Sequence, residues 1–137
     1  NGRWVDWSLL PMPDSLRSRF TSRPDSAFRY AVVELLSTAG PSPYAKEIRE
    51  VQKKKANRFI FLSYSLAPKA QGASLASGQG TLPNYYAIKS SAGSILYFSD
   101  QMGITQFPYY LVVDERDIVV AWGEDFSVLL KSLSSLP

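Results

Sequence analysis

Two serines in "RFIFLSYS", Ser63 and Ser65, and two aspartates in "VVDERDIVV", Asp114 and Asp117, are of types that could do nucleophilic or acid–base chemistry in this chain. A serine hydroxyl is a weak nucleophile until a base takes its proton, and the sequence contains no His. It contains no Cys either. Those two absences exclude thiol exchange, Cys–His and Ser–His–Asp hydrolysis, and every ordinary zinc site. The aspartates bracket "DERD", four polar residues between two β-rich runs, where short carboxylates bond to the turn backbone. A turn role is therefore the expectation for Asp114 and Asp117, ahead of a carboxylate pair. "GASLASGQG" has the glycines of a phosphate loop but not its Lys-Ser/Thr ending, so no nucleotide or other small-molecule cofactor is expected.

Charge narrows the partners. The net charge is +3, and most of it is local: Lys46, Arg49, Lys53, Lys54, Lys55 and Arg58 outweigh Glu47 and Glu50 by four. Such a run most often forms the wet face of a helix. No base-stacking motif accompanies it, so nucleic acid is not an expected partner. At 137 residues and 45% apolar, the chain can bury a core of its own. Its longest apolar stretches, near "FIFL" and "YYLVV", are far too short to span a bilayer as helices. No signal peptide is visible, and the abrupt "NGRWVDW" start suggests a mature or excised chain. Lack of cysteine does not fix the compartment, since disulfides in oxidising spaces are optional.

The elements that would position any site follow from periodicity. Residues 1–24 carry prolines and no clean period, which predicts an irregular arm with a short helix near Ser15–Phe20. Trp4 and Trp7 would anchor that arm on the domain or on a partner. "PDSAFRYAVVELLSTAGP" predicts a helix: Asp25 or Ser26 caps it, Phe28, Val32, Leu35 and Leu36 recur at helical spacing, and Gly40-Pro41 ends it. "SPYAKEIREVQKKKAN" predicts a second helix, with Ser42 as cap, Pro43 in the first position and an apolar stripe of Tyr44, Ile48 and Val51. "RFIFLSYS" and "NYYAIKS" predict strands, whereas "AGSILYFSDQMGI" suits either a helix or a strand followed by a turn. "YYLVVD" and "DIVVAWG" predict a hairpin, and "EDFSVLLKSLSSL" a closing amphipathic helix. Alternating helices and strands of this kind argue an α/β class, with residues 1–57 as arm and helical extension and residues 58–137 as the main domain.

The closing block resembles the second half of the thioredoxin-like superfamily. The resemblance is carried by Gly103-Ile104, the spacer Thr105-Gln106-Phe107, Pro108, the strand Tyr109–Val113, the turn Asp114–Asp117, the strand Ile118–Trp122, Gly123 and the last helix. It implies a thioredoxin-like sheet with flanking helices and a cis Phe107–Pro108 bond facing the redox motif. With Pro68 in the place of the proline of Cys-Gly-Pro-Cys, the two cysteine positions fall on Leu66 and Lys69, so the redox chemistry is absent. "FLSYSLAP" further resembles a Phe-Val-Ser-Phe-Ser-Met-Pro stretch of TrbC-type pilus assembly proteins of conjugation systems, with Ala67 as an extra residue before the proline.

These resemblances imply a redox-inactive, non-catalytic binding or assembly module of a larger complex, periplasmic in its most specific version and serving a conjugation or secretion machine. Its protein-binding surface is expected at Ser65, Leu66, Ala67, Pro68, Lys69, Phe107, Pro108 and Tyr109, because an extended segment laid against the cis-proline loop needs backbone groups and shallow pockets rather than thiols. The alternatives are an enzyme using Lys69 or the Ser63/Ser65 pair, and a structural subunit of a large organelle complex. An exposed lysine is protonated at neutral pH, so the enzyme needs a base or a strongly lowered lysine pKa.

Overall fold

The run Phe59-Ile60-Phe61-Leu62 has the aromatic and β-branched character that suits a strand covered on both faces. In the computed structural model of the chain, which describes residues 4–14, 16–17, 29–38, 42–54, 58–67 and 84–135, it begins strand β2, Phe59–Ala67. The helix expected over Pro24–Pro41 does not form where the chain is described. Tyr30–Thr38 is instead strand β1. The proposed caps Asp25 and Ser26 and the stop at Gly40-Pro41 lie outside the described residues. The physical reason is burial on both sides. Tyr30 to Leu36 are all buried, and a strand covered on both faces reads as a continuous apolar run in which i, i+3 and i+4 are filled by default.

The remaining elements follow the sequence. Helix α1 spans Ala45–Lys54 with Ile48 and Val51 buried, strand β3 spans Tyr85–Ala87, and helix α2 spans Ala92–Met102. The last of these settles the ambiguous stretch as a helix. Ser91 caps it by accepting from Ser94 N, and Gly103, at φ 74°, ends it in the left-handed conformation that glycine adopts without penalty. Strands β4 (Tyr109–Asp114) and β5 (Val119–Gly123) form the expected hairpin, and helix α3 (Phe126–Ser135) closes the fold.

The five strands make one mixed sheet in the order β3-β2-β1-β4-β5. Strand β1 is central: it pairs parallel with β2 and antiparallel with β4. The sheet therefore draws strands from both sides of the expected boundary at residues 57 and 58. One face, with Ala31, Val33, Leu35, Ile60, Leu62, Leu111 and Val113, packs under α2 and the N-terminal arm. The other, with Val32, Phe59, Phe61, Tyr110 and Val112, packs under α1 and α3.

The arm is part of the core. Val5 and Leu10 are fully buried and Leu16 nearly so, and the Tyr64 hydroxyl donates to Pro11 O at 2.8 Å. Asp14, Leu16 and Arg17 are helical, with Arg17 N bonded to Pro13 O, while Ser15 and residues 18–20 of the predicted helix near Ser15–Phe20 lie outside the described residues. The two tryptophans part company. Trp7 Nε1 donates to Asp117 Oδ1 at 2.8 Å, whereas Trp4 is 58% exposed beside Ile118. Asp117 also takes Arg17 NH2 at 3.1 Å, and its own carbonyl accepts from Val5 N. Asp114 has the expected turn role, accepting from Arg116 N and Ile118 N. Asp117, by contrast, fastens the arm to the hairpin.

Candidate functional site

The Phe107–Pro108 bond is cis, as the resemblance implies. Pro108 immediately precedes β4, and Tyr109 lies opposite Leu35 of β1. Leu36 and Thr38 of β1 lie opposite Ser65 and Ala67 of β2. The C-terminal end of β1 thus runs between the cis-proline loop and the end of β2, so the strand beside the cis-proline loop is β1 and not β2, the strand after which the resemblance placed the redox motif at Leu66 and Lys69. Phe107, Pro108, Tyr109, Ser65, Leu66 and Ala67 are all partly exposed, and Ser37 and Thr38 are exposed between them. Leu66, Phe107 and Tyr109 pack against the same buried cluster. Six of the expected contact residues therefore belong to one end of one sheet, while Pro68 and Lys69 lie outside the described residues. Strand alternation places Ser65 on the opposite face of β2 from Leu66. The described part of this surface carries no charged side chain.

Directly beneath it lies a group that the sequence reading missed. Glu34, in the middle of β1, has no exposed surface. A carboxylate in such a place must be compensated by hydrogen bonds. Its neighbours in register are Ser63 of β2 and Tyr110 of β4. The Tyr110 hydroxyl donates to Glu34 Oε2 at 2.6 Å, the Ser42 hydroxyl donates to the same oxygen at 2.5 Å, and the Tyr85 hydroxyl donates to Oε1. Ser42 Oγ in turn accepts from Tyr44 N at 3.1 Å, so the predicted cap of α1 also ties that helix to Glu34. Burial, and secondarily the Glu34 charge, push both phenols well above their ordinary range. Burial alone does the same to Tyr64. Tyr85 and Tyr110 thus stay protonated and donate to Glu34 alongside the Ser42 hydroxyl.

The chemistry open to this arrangement is limited. Ser63 is buried, so a pair with Ser65 presents at most one accessible hydroxyl. Ser42 has a carboxylate beside it, but it is buried and its oxygen is already used by the Tyr44 amide. No group of His, Cys, Asp and Glu able to hold a metal ion occurs among the described residues.

The parallel β1–β2 pair joined through a helix, the antiparallel hairpin, the closing helix and the cis-proline before β4 decide the architecture. The fold is thioredoxin-like. Solved structures agree. The chain superposes on the thioredoxin domain of a thiol-disulfide oxidoreductase from Bacteroides vulgatus with a TM-score of 0.53 at 17% identity, covering 77% of each chain. A thiol:disulfide interchange protein from Bacteroides sp. gives 0.57 at 16% identity, over 88% of this chain and 76% of the other. The pneumococcal exposed lipoprotein thioredoxin Etrx1 of Streptococcus pneumoniae gives 0.53 at 14%, over 88% and 90%. No protein-family model and no curated protein matches the sequence. This thioredoxin-like chain differs from a thiol-disulfide oxidoreductase in one decisive respect: with no cysteine it cannot form the mixed disulfide through which such exchange proceeds. No helix among its described residues is long and apolar enough to cross a membrane.

Proposed function

We propose that this chain is a non-catalytic thioredoxin-like binding module, which holds a segment of a protein partner within a larger assembly. The observation that carries the reading is a thioredoxin-like fold with its cis-proline loop in place and no thiol in the chain. A partner segment would lie extended along the end of the sheet, against Phe107, Pro108 and Tyr109 on one side and Ser65, Leu66 and Ala67 on the other. Main-chain hydrogen bonds and shallow apolar pockets suffice for that mode, and neither needs a reactive group.

The narrower version, assembly of a conjugation or secretion machine in the periplasm, rests on the TrbC-like stretch Phe61–Leu66. The experiment is site-specific photocrosslinking in native extract, with a photoreactive phenylalanine at Tyr109, at Thr38, or at Val128, which is 67% exposed on α3. A partner adduct at Tyr109 and Thr38 but not at Val128 is the expected result. An adduct at Val128 alone would overturn the assignment of the binding surface.

A further inference from the structure

The Glu34 cluster is larger than the needs of a single strand. Its donors come from three separate pieces of chain: Ser42 at the start of α1, Tyr85 on the edge strand β3, and Tyr110 on β4, two residues after the cis-proline. Ser63 of β2 stands opposite Glu34 in the strand register. Every strand whose end frames the surface described above, and the helix that follows β1, thus converges on one carboxylate. Aromatic rings seal it. Tyr44 meets Tyr110 edge-on at 5.7 Å, and Phe126 lies 5.1 Å from Tyr110 and 6.1 Å from Phe61. A cluster of hydrogen bonds shielded from water is worth more together than as separate pairs.

We propose that Glu34 is the positioning residue of the cis-proline surface: through Ser42, Tyr85 and Tyr110 it couples the start of α1, β3 and β4 to β1, whose end runs through that surface. Glu34 touches no partner, and its role as a positioning residue rests on the binding reading above. The coupling itself needs no partner to be measured. It predicts an effect at a distance: deleting the Tyr85 hydroxyl on β3 loosens the first turn of α1, which Tyr85 reaches through Glu34 and Ser42.

The test is native-state amide hydrogen exchange on the full chain, comparing wild type with Tyr85→Phe, Ser42→Ala and Glu34→Gln, and with Tyr85→Phe made in the Glu34→Gln background. The Tyr44 amide, which bonds to Ser42 Oγ, is expected to exchange about tenfold faster in Tyr85→Phe, while the Leu129 amide of α3, bonded to Asp125 O, changes less than about twofold. The Thr38 and Tyr109 amide resonances are expected to move in the same variant. In the Glu34→Gln background Tyr85→Phe is expected to add nothing at Tyr44, because the connection is already cut. An unchanged Tyr44 amide in Tyr85→Phe, an equal acceleration at Tyr44 and Leu129, or an undiminished effect in the Gln background would each overturn the proposal. If Glu34→Gln does not fold, the two hydroxyl deletions decide the matter by whether each reaches the other's segment. Coupling found without a crosslinked adduct at Thr38 or Tyr109 refutes the binding reading and leaves the coupling. An adduct without coupling does the reverse.

Discussion

Asp117 gives the sharpest test of how the arm is held. Its carboxylate accepts from Trp7 Nε1 at 2.8 Å and from Arg17 NH2 at 3.1 Å, and its backbone sits at φ 67°, a region that Asp tolerates better than Ala. Removing a charged acceptor from the indole costs about 1.5–3 kcal/mol. The Arg17 pair, with Arg17 37% exposed, adds only about 0.2–1 kcal/mol. Placing Ala in the left-handed region adds roughly 1 kcal/mol, whereas Gly adds no such strain. Asp117→Ala is therefore expected to cost about 3–5 kcal/mol, Asp117→Gly about 2–4 kcal/mol and Asp117→Asn about 1 kcal/mol, since Asn keeps both an acceptor and the backbone preference. Urea unfolding followed by tryptophan emission reads all three. Equal losses for Ala and Gly would remove the backbone contribution. Losses below about 0.5 kcal/mol in all three would refute the view that Asp117 fastens the arm.

Two further outcomes follow from burial. Leu10 has no exposed surface, so Leu10→Ala should destabilise by about 2–5 kcal/mol in the same urea assay, a core penalty that an arm merely resting on the domain would not show. Tyr64, Tyr85 and Tyr110 all have folded-state pKa values raised above the ordinary 10.0. Their contribution to stability is complete below that value and is lost as pH rises above it, because the unfolded chain then releases phenolic protons that the folded chain keeps. Phenolate absorbance should show three of the eight tyrosines silent until the chain unfolds cooperatively in alkali, and Tyr110→Phe should make that unfolding less steep. Ionisation of all eight in one step near pH 10, with the fold intact, would contradict the buried network.

Local signals carried the C-terminal half. The hairpin around Asp114–Asp117 and helix α3 each depend on residues adjacent in the chain, so their periods and turn residues survive in the sequence, whereas the cis bond at Pro108 is implied only by the thioredoxin-like resemblance. Strand β1 failed on the same rules. Val32, Leu35 and Leu36 fit a helical stripe because almost every position from Tyr30 to Leu36 is apolar. One charged residue inside such a run has a second meaning, a buried group with partners, and Val32-Val33 favours a strand. Its donors stand 8, 51 and 76 residues away, beyond any local pattern. Asp117 shows the same limit: its place in a turn was legible, but its partners Trp7 and Arg17 lie 110 and 100 positions away.

By itself the sequence determined what this protein cannot do and the shape of its last two strands and final helix. A chain without cysteine has no thiol to exchange in any fold, and the spacing around Pro108 marks the loop regardless of what it faces. Tertiary structure alone decided that β1 is the centre of the sheet, that its end separates Leu66 from Phe107, and that Ser42, Tyr85 and Tyr110 meet on one carboxylate. Those outcomes depend on which faces are covered and which hydroxyls reach a buried charge, and such contacts exist only once distant segments are packed together.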